Sequence, residues 1–437
     1  MSGAGTGFFP LDAELGLLPN HRFTPRVEEV VARLGVSVPF AEAAALLRAM
    51  LGVQVSEATQ RRLTYAAGVA AVALENAEVT RIEQDLPAVP VPPERMQISL
   101  DATKVPLVGG AWTDAKLAVI AELVPAVDEE GQPSVDAVNL SYVARCEPAE
   151  VFARTLTAEA HRRGLEAARD LASPNDGAEW IQGVLQHMAP QAVRILDEPH
   201  AAEHLGMIGT LVYGEHTVAA AAWTERQRTR LTQEEPEGVL SELRRMLARG
   251  PHPTAPVGPD GLPPVATLAR EVAYFHTRAT QIRYAAFRRD RYPIGSGIVE
   301  SGHKVVISPR FKRAGQHWAP AHLSPLLVLR ATLCNDRWEE SWPRLWTQQQ
   351  QTRTAARRAS QRHRQATRQA VAAAQATAQA TEHALPAGPD TGAPAPPRGA
   401  MAIVPSPVHP HAAPTRRPAA DHPWRRPFLA ASRERAG

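Results

Sequence analysis

Residues 96–107 read MQISLDATKVPL, and here the apolar period of the chain changes from helical to alternating. Met96, Ile98 and Leu100 alternate with Gln97 and Ser99, and the run leads straight into Asp101. Lys116-Leu117-Ala118-Val119-Ile120 reads as a neighbouring strand. An acid at the end of an apolar strand is fixed by a rigid scaffold while its oxygens face the rim of the sheet, which is where a metal ligand belongs. A strand-end Asp can equally cap a turn, so Asp101 carries both readings. Helical patterns on either side of this strand pair make the expected class mixed α/β.

Upstream, Thr24-Pro25 is a capped helix start, and Val27, Val30, Val31 and Leu34 recur at helical spacing until Gly35. A second helix runs from about Phe40 to Leu51 and stops at Gly52; Ser56 caps a third that carries Thr59, Arg61 and Arg62 early. Three short helices in residues 1–85 suit a helix-turn-helix that sets Arg61 and Arg62 against DNA. A helical packing module without DNA contact fits the pattern equally well.

Downstream, three further clusters hold acids. Asn175-Asp176-Gly177 is a strong turn signal before a helical run, although LASPN ahead of it is a poor strand. Val193–Leu196 is strand-like, and Asp197 then opens a helix on which His200 and His204 lie one turn apart, a spacing that can place two imidazoles on one metal. Tyr292–Trp318 reads YPIGSGIVESGHKVVISPRFKRAGQHW: Glu300 follows Gly295-Ser296-Gly297 and precedes Lys304, Arg310, Lys312 and Arg313. One carboxylate in a basic, glycine-hinged surface suits Mg²⁺ beside a polyanion, with the flanking cations holding phosphates. Between the second and third clusters the pattern is helical, with Trp223, Leu231, Leu240, Leu243, Met246 and Leu247 at helical spacing and a Pro/Gly-rich break at 250–264. Trp338, Trp342 and Trp346 then form a stripe at i, i+4, i+8, read as core packing.

Composition bounds the classes. The 437 residues with 44% hydrophobic content suffice for more than one core, and no apolar run is long enough to span a membrane. The first residues, MSGAGTGFFPLD, lack the pattern of a secretory signal, so a cytoplasmic location is expected. Cys146 and Cys334 lack metal-binding spacing and read as buried thiols. From Thr347 onward there are 13 Arg and no Lys against Glu382, Asp390, Asp421 and Glu434, whereas residues 1–346 hold 35 Lys and Arg against 41 Asp and Glu. The body is therefore mildly acidic, and the Ala-, Gln-, Pro- and Arg-rich tail at 347–437 reads as a helix-forming run near 347–384 followed by disorder.

Taken in order, LDATKVP at 100–106, NDGAEWI at 175–181, LDEPHAAEHL at 196–205, the Tyr292–Trp318 stretch and LRATLCNDRWEESW at 329–342 resemble the transposases of ISKra-type insertion sequences, over about Gly5 to Trp346. Those are DDE enzymes with a ribonuclease-H-like catalytic core. The resemblance implies catalytic, metal-binding roles for Asp101, Asp176 and Glu300, with Asp197 and His200 in a bracing D-x-x-H element and His204 in support. It implies two Mg²⁺ ions, replaceable by Mn²⁺, and Lys104, Lys304, Arg310, Lys312 and Arg313 as DNA contacts. The partners would be double-stranded DNA, as terminal inverted repeats and target, and further copies of the chain in a synaptic complex at the nucleoid. The core would occupy 95–205 and 291–346, divided by a helical insertion at 206–290. A catalytically inactive, DNA-binding derivative is the alternative, and Asp197 competes with Asp176 for the second acid's role.

Overall fold

The computed structural model describes residues 23–127, 131, 133–258 and 260–383. The chain divides into two units after Trp346. In the first, Thr24 accepts the Val27 N–H at 3.4 Å ahead of Pro25, and helix α1 spans Pro25–Ser37. It runs past Gly35 because that glycine is a point of close approach: a Cβ there would stand 2.1 Å from Thr64 Oγ1. Helix α2, Phe40–Leu51, ends on Gly52 in the left-handed conformation. Helix α3, Glu57–Asp85, starts from Ser56, whose hydroxyl accepts the Thr59 N–H at 3.2 Å. At 29 residues α3 is a long packing helix rather than a short one.

The sheet follows. Strands β1 (Arg95–Pro106), β2 (Trp112–Val127) and β3 (Pro133–Arg145) form an antiparallel meander. Helix α4 (Ala149–Arg162) leads across to β4 (Asp170–Asn175), and α5 (Glu179–Met188) leads on to β5 (Val193–Leu196). β4 is parallel to β1 and β5 is parallel to β4, so the sheet order is β3-β2-β1-β4-β5. Strand alternation separates the two faces. Met96, Ile98, Leu100, Ala118 and Ile120 pack under Phe152 and Leu156 of α4 and Ile181, Val184 and Leu185 of α5. Leu117, Val119 and Val105 face the other way, onto residues 299–327. Asp101 belongs by register to this second face.

LASPN, which reads as a poor strand, forms β4, an interior strand of the sheet between β1 and β5. The backbone pairing of β1 with β4 covers only Arg95–Gln97 against Asp170–Ala172. Beyond it, side chains make the connection. Ser173 Oγ donates to the Ile98 carbonyl at 2.9 Å, Ser99 Oγ donates to the Pro174 carbonyl at 2.8 Å, and the Leu100 N–H donates to Asn175 Oδ1 at 2.5 Å. Small polar residues thus replace a ladder that Pro174 cannot supply.

A helical region then departs from β5: α6 (Glu198–Tyr213), α7 (Val218–Gln233), α8 (Glu237–Arg249), α9 (Pro264–Thr277) and α10 (Tyr284–Arg289). Its core of Leu205, Ile208, Trp223, Leu243, Val272 and Phe275 is rooted on Ile195 and Leu196 of β5. Leu247 departs from the expected stripe and is exposed. The chain returns through α11 (Gly297–Gly302), a π-helical turn (His303–Ile307) and α12 (Ser308–Phe311), followed by α13 (Pro320–Cys334) and α14 (Trp338–His383). Trp338 and Trp342 are buried and stacked, with ring centroids 5.7 Å apart, so the tryptophan stripe is core. Cys146 and Cys334 are only partly buried; burial still pushes the Cys146 thiol up to about 12. In the second unit α14 is exposed along almost its whole length from Thr347 to Ala376. The disorder expected beyond residue 384 falls outside the described residues, and among those described no helix is long and apolar enough to cross a membrane.

Candidate active site

Adjacent strands deliver three carboxylates: Asp176 and Asp197 just past the ends of β4 and β5, and Asp101 from within β1, which does not end there as expected but runs on to Pro106. Asp101 projects from β1 with its Oδ1 accepting the Ala102 N–H at 2.6 Å. Its Oδ2 lies 2.9 Å from His303 Nε2. Asp176 follows β4 directly, and its Oδ1 accepts the Ala178 N–H at 2.8 Å, at the start of α5. Burial raises the Asp176 carboxyl above the ordinary aspartate range; the Asp101 and Asp197 carboxylates push in the same direction, against the Ala178 N–H and His200. Asp101, Asp197 and His200 therefore all lie within electrostatic reach of Asp176.

Asp197, at the end of β5, has a different task. It is almost fully buried. Its Oδ2 accepts the His200 N–H at 3.1 Å as the N-cap of α6, and its Oδ1 accepts the Ser296 N–H at 2.6 Å. The Glu198 N–H donates to the Ile294 carbonyl at 3.0 Å beside it. The Gly295-Ser296-Gly297 turn, and with it the start of α11, is therefore fastened to the end of β5. Both carboxylate oxygens of Asp197 are committed to backbone N–H groups, whereas Asp176 commits one.

Glu300 lies in the first turn of α11, not in a turn of the loop, and it is exposed. α11 packs on β1 and β2 because Gly302 allows it: a Cβ there would meet Leu117 Cδ2 at 2.8 Å and Val119 Cγ2 at 3.0 Å. His303 follows Glu300 by three residues and opens the π-helical turn; it is buried where Glu300 is exposed, and it is this histidine that reaches Asp101. His303 is the site residue that the sequence reading missed. The signal was present in Glu300-Ser301-Gly302-His303, a second polar group one turn after the acid on a segment that had to return to the sheet.

The helical region clamps the Asp176 turn. Tyr274 of α9 donates its hydroxyl to the Asp176 carbonyl at 2.6 Å, and Arg278 Nη2 donates to the Gly177 carbonyl at 2.6 Å while its guanidinium lies 4.0 Å from the Tyr274 ring centroid. His204 is held by Glu271 and stacks on Tyr274 at 3.9 Å. His200 Nδ1 lies 3.5 Å from Glu203 Oε2, and the His200 and His204 rings meet edge to face with centroids 5.0 Å apart. Among the described residues no three His, Cys, Asp or Glu side chains are grouped as a metal site. The donors at hand are carboxylate oxygens, the chemistry of Mg²⁺ and Mn²⁺, but Asp101 is engaged by His303 and Glu300 is turned to solvent. The side chains as they stand do not form a metal cage.

The basic residues divide. Arg310 is 1% exposed, donates Nε to the Gly35 carbonyl at 3.1 Å and lies over the rings of Phe40 and Trp318 at 4.6 and 4.8 Å. Burial lowers its guanidinium to about 10. It is a core residue and offers no surface to a phosphate, which corrects the sequence expectation. Lys312 Nζ donates to Thr103 Oγ1, two residues beyond Asp101 on the same strand face. Lys304 is exposed one turn after Glu300. Lys104 pairs with Asp114 at 2.8 Å, Arg313 with Glu42 at 3.0 Å and Arg61 with Glu57 at 3.5 Å, all partly or largely solvent-exposed, and Arg62 is exposed. No protein-family model matches the chain, and no curated protein is significantly similar to it.

Proposed function

We propose that the protein is a DDE-type transposase of an insertion sequence, cutting DNA at the element's ends and joining those ends to target DNA. The observation that carries the reading is the approach of Asp101 and Asp176 from neighbouring strands β1 and β4: the Leu100 N–H, one residue before Asp101, donates to the side chain of Asn175, one residue before Asp176, at 2.5 Å. A strand order of β3-β2-β1-β4-β5 with an acid on the central strand supports a ribonuclease-H-like core, and the five helices between β5 and α11 then constitute its insertion. Glu300 is the proposed third acid, brought back to β1 by α11.

Strand cleavage in this reading is attack of water on a phosphodiester with departure of the 3′-oxygen, and joining is attack of that 3′-OH on a target phosphodiester; neither needs a covalent enzyme intermediate. Mg²⁺ or Mn²⁺ is the proposed cofactor of Asp101, Asp176 and Glu300. Among the described residues the three acids are not grouped as a metal site: Asp101 Oδ2 lies 2.9 Å from His303 Nε2, and Glu300 is exposed. In this reading Lys304 and Lys312, flanking Glu300 and Asp101, hold phosphates. Double-stranded DNA and further copies of the chain are the proposed partners, at the nucleoid. The engagement of Asp101 by His303 favours one second reading, a DNA-binding derivative in which the acid is permanently latched.

The test is cleavage and joining of duplexes carrying the element's own ends with Mg²⁺ or Mn²⁺. Glu300→Gln and Asp101→Asn are expected to abolish both reactions while leaving DNA affinity within about twofold. Variants that cut as well as the parent overturn the assignment. A parent that binds these ends but never cuts them, with either metal, selects the latched derivative.

A further inference from the structure

From Thr347 to Ala376, α14 carries six arginines and no Asp or Glu, the first acid being Glu382. Arg353, Arg357, Arg364 and Arg368 recur at intervals of four, seven and four residues. At about 100° and 1.5 Å per residue they fall within an arc of roughly 60° over some 22 Å of helix. Arg358 and Arg362 form a second row, roughly 130° around the helix from the first. All are exposed except Arg353, which is half-buried and has Nη2 3.4 Å from Gln349 Oε1.

The rest of this surface is Ala, Gln, Thr and Ser with His363, and Val371 is its one large aliphatic side chain. It offers no apolar stripe for a coiled-coil partner or for burial in a lipid interface. Arginines four residues apart, at 353/357, 358/362 and 364/368, repel one another and disfavour the helix in isolation. A polyanion laid along them reverses that sign. An α-helix is about as wide as the major groove of duplex DNA, and phosphates line both walls of that groove. Two cationic rows on separate flanks fit this geometry better than they fit a single planar charged surface.

We propose that the exposed arginine rows of α14 form a second, sequence-independent interface for duplex DNA, gripping backbone phosphates through Arg357, Arg364 and Arg368 on one flank and Arg358 and Arg362 on the other. The inference rests on the proposed function in taking DNA as the ligand, and it is independent of the acids that would do chemistry. Its role is to add affinity without selecting bases, because every contact is to phosphate.

The experiment uses the full chain and a random-sequence duplex. Replacing Arg357, Arg364 and Arg368 together with Gln, which has a similar helix propensity, is expected to lower the slope of log affinity against log salt by up to about 2.7. Lysine at the same three positions keeps the charge and retains the parental slope. Far-ultraviolet circular dichroism is expected to gain helical signal when DNA is added to the parent and less in the glutamine variant. A glutamine variant with the parental slope overturns the interface, as does a parent that prefers RNA or anionic vesicles to duplex DNA. An unchanged slope with cleavage intact refutes the interface alone; a changed slope with no cleavage by the parent refutes the catalytic reading alone.

Discussion

Replacing Asp197 tests whether this acid is a fastener or a ligand. Its two oxygens accept the Ser296 N–H at 2.6 Å and the His200 N–H at 3.1 Å, and the residue is 5% exposed. Hydrogen bonds to a buried charged group contribute about 1.5–3 kcal/mol, and loss of an N-cap costs about 1 kcal/mol. Asp197→Ala removes both and leaves the Ser296 N–H buried without its acceptor, so a loss of about 3–4 kcal/mol is expected. Asp197→Asn keeps one acceptor oxygen and presents N–H₂ where the second stood, so about 1–2 kcal/mol is expected to go. Urea denaturation of the three proteins, monitored by tryptophan fluorescence, reads these differences directly. An alanine variant losing less than about 1 kcal/mol would refute the fastening role. So would an asparagine variant as stable as the parent that had lost cleavage, because that is the signature of a ligand.

Two other perturbations probe residues whose placement decides a role. Arg310→Met fills the same space without a buried charge and is expected to change stability by no more than about 1 kcal/mol, whereas Arg310→Ala, which forfeits the carbonyl bond and two ring contacts and leaves a cavity, is expected to cost about 3 kcal/mol; a methionine variant of normal stability whose DNA affinity is less salt-dependent would return Arg310 to the interface. For Asp176, burial raises the folded-state pKa, so the ionised form is penalised in the native protein but not in the unfolded chain. The penalty is absent below the unfolded value of about 3.9 and grows as pH rises through the folded one. Asp176→Asn is therefore expected to raise the melting temperature at pH 7 and to leave it unchanged at pH 3, and a lower melting temperature at pH 7 would contradict the placement.

The sheet's central strand and both early helix caps were readable because each rests on local signals: alternation at Met96–Leu100, Thr24-Pro25 and Ser56. β4 was hidden because its rungs to β1 are side-chain bonds from Ser99, Ser173 and Asn175. No propensity or hydropathy pattern encodes a hydroxyl aimed at a carbonyl on another strand. β3 was missed for a related reason: Asp136, Asn139 and Ser141 interrupt its apolar residues, and Asn139 even takes positive φ there. At the site, the acids could be named but their division of labour could not. Asp176 and Asp197 differ in how many N–H groups each satisfies, and those donors arrive from as far away in sequence as Ser296. Arg310 was misplaced because a basic run looks like surface, while two of the three residues it packs on, Gly35 and Phe40, come from the distant N-terminal helices and only Trp318 lies nearby in sequence.

Tyr274 and Arg278 give their hydrogen bonds to the carbonyls of Asp176 and Gly177, and the Tyr284 hydroxyl donates to the Leu196 carbonyl at 2.9 Å. The minimal core therefore has no clean edge at the end of β5. Excising residues 206–290 to make a smaller protein, or exchanging them for another protein's helices, removes the donors that hold the loop bearing Asp176. A graft must bring equivalents of all three side chains, at the same three carbonyls, or it will inherit the sheet without the aim of the carboxylate.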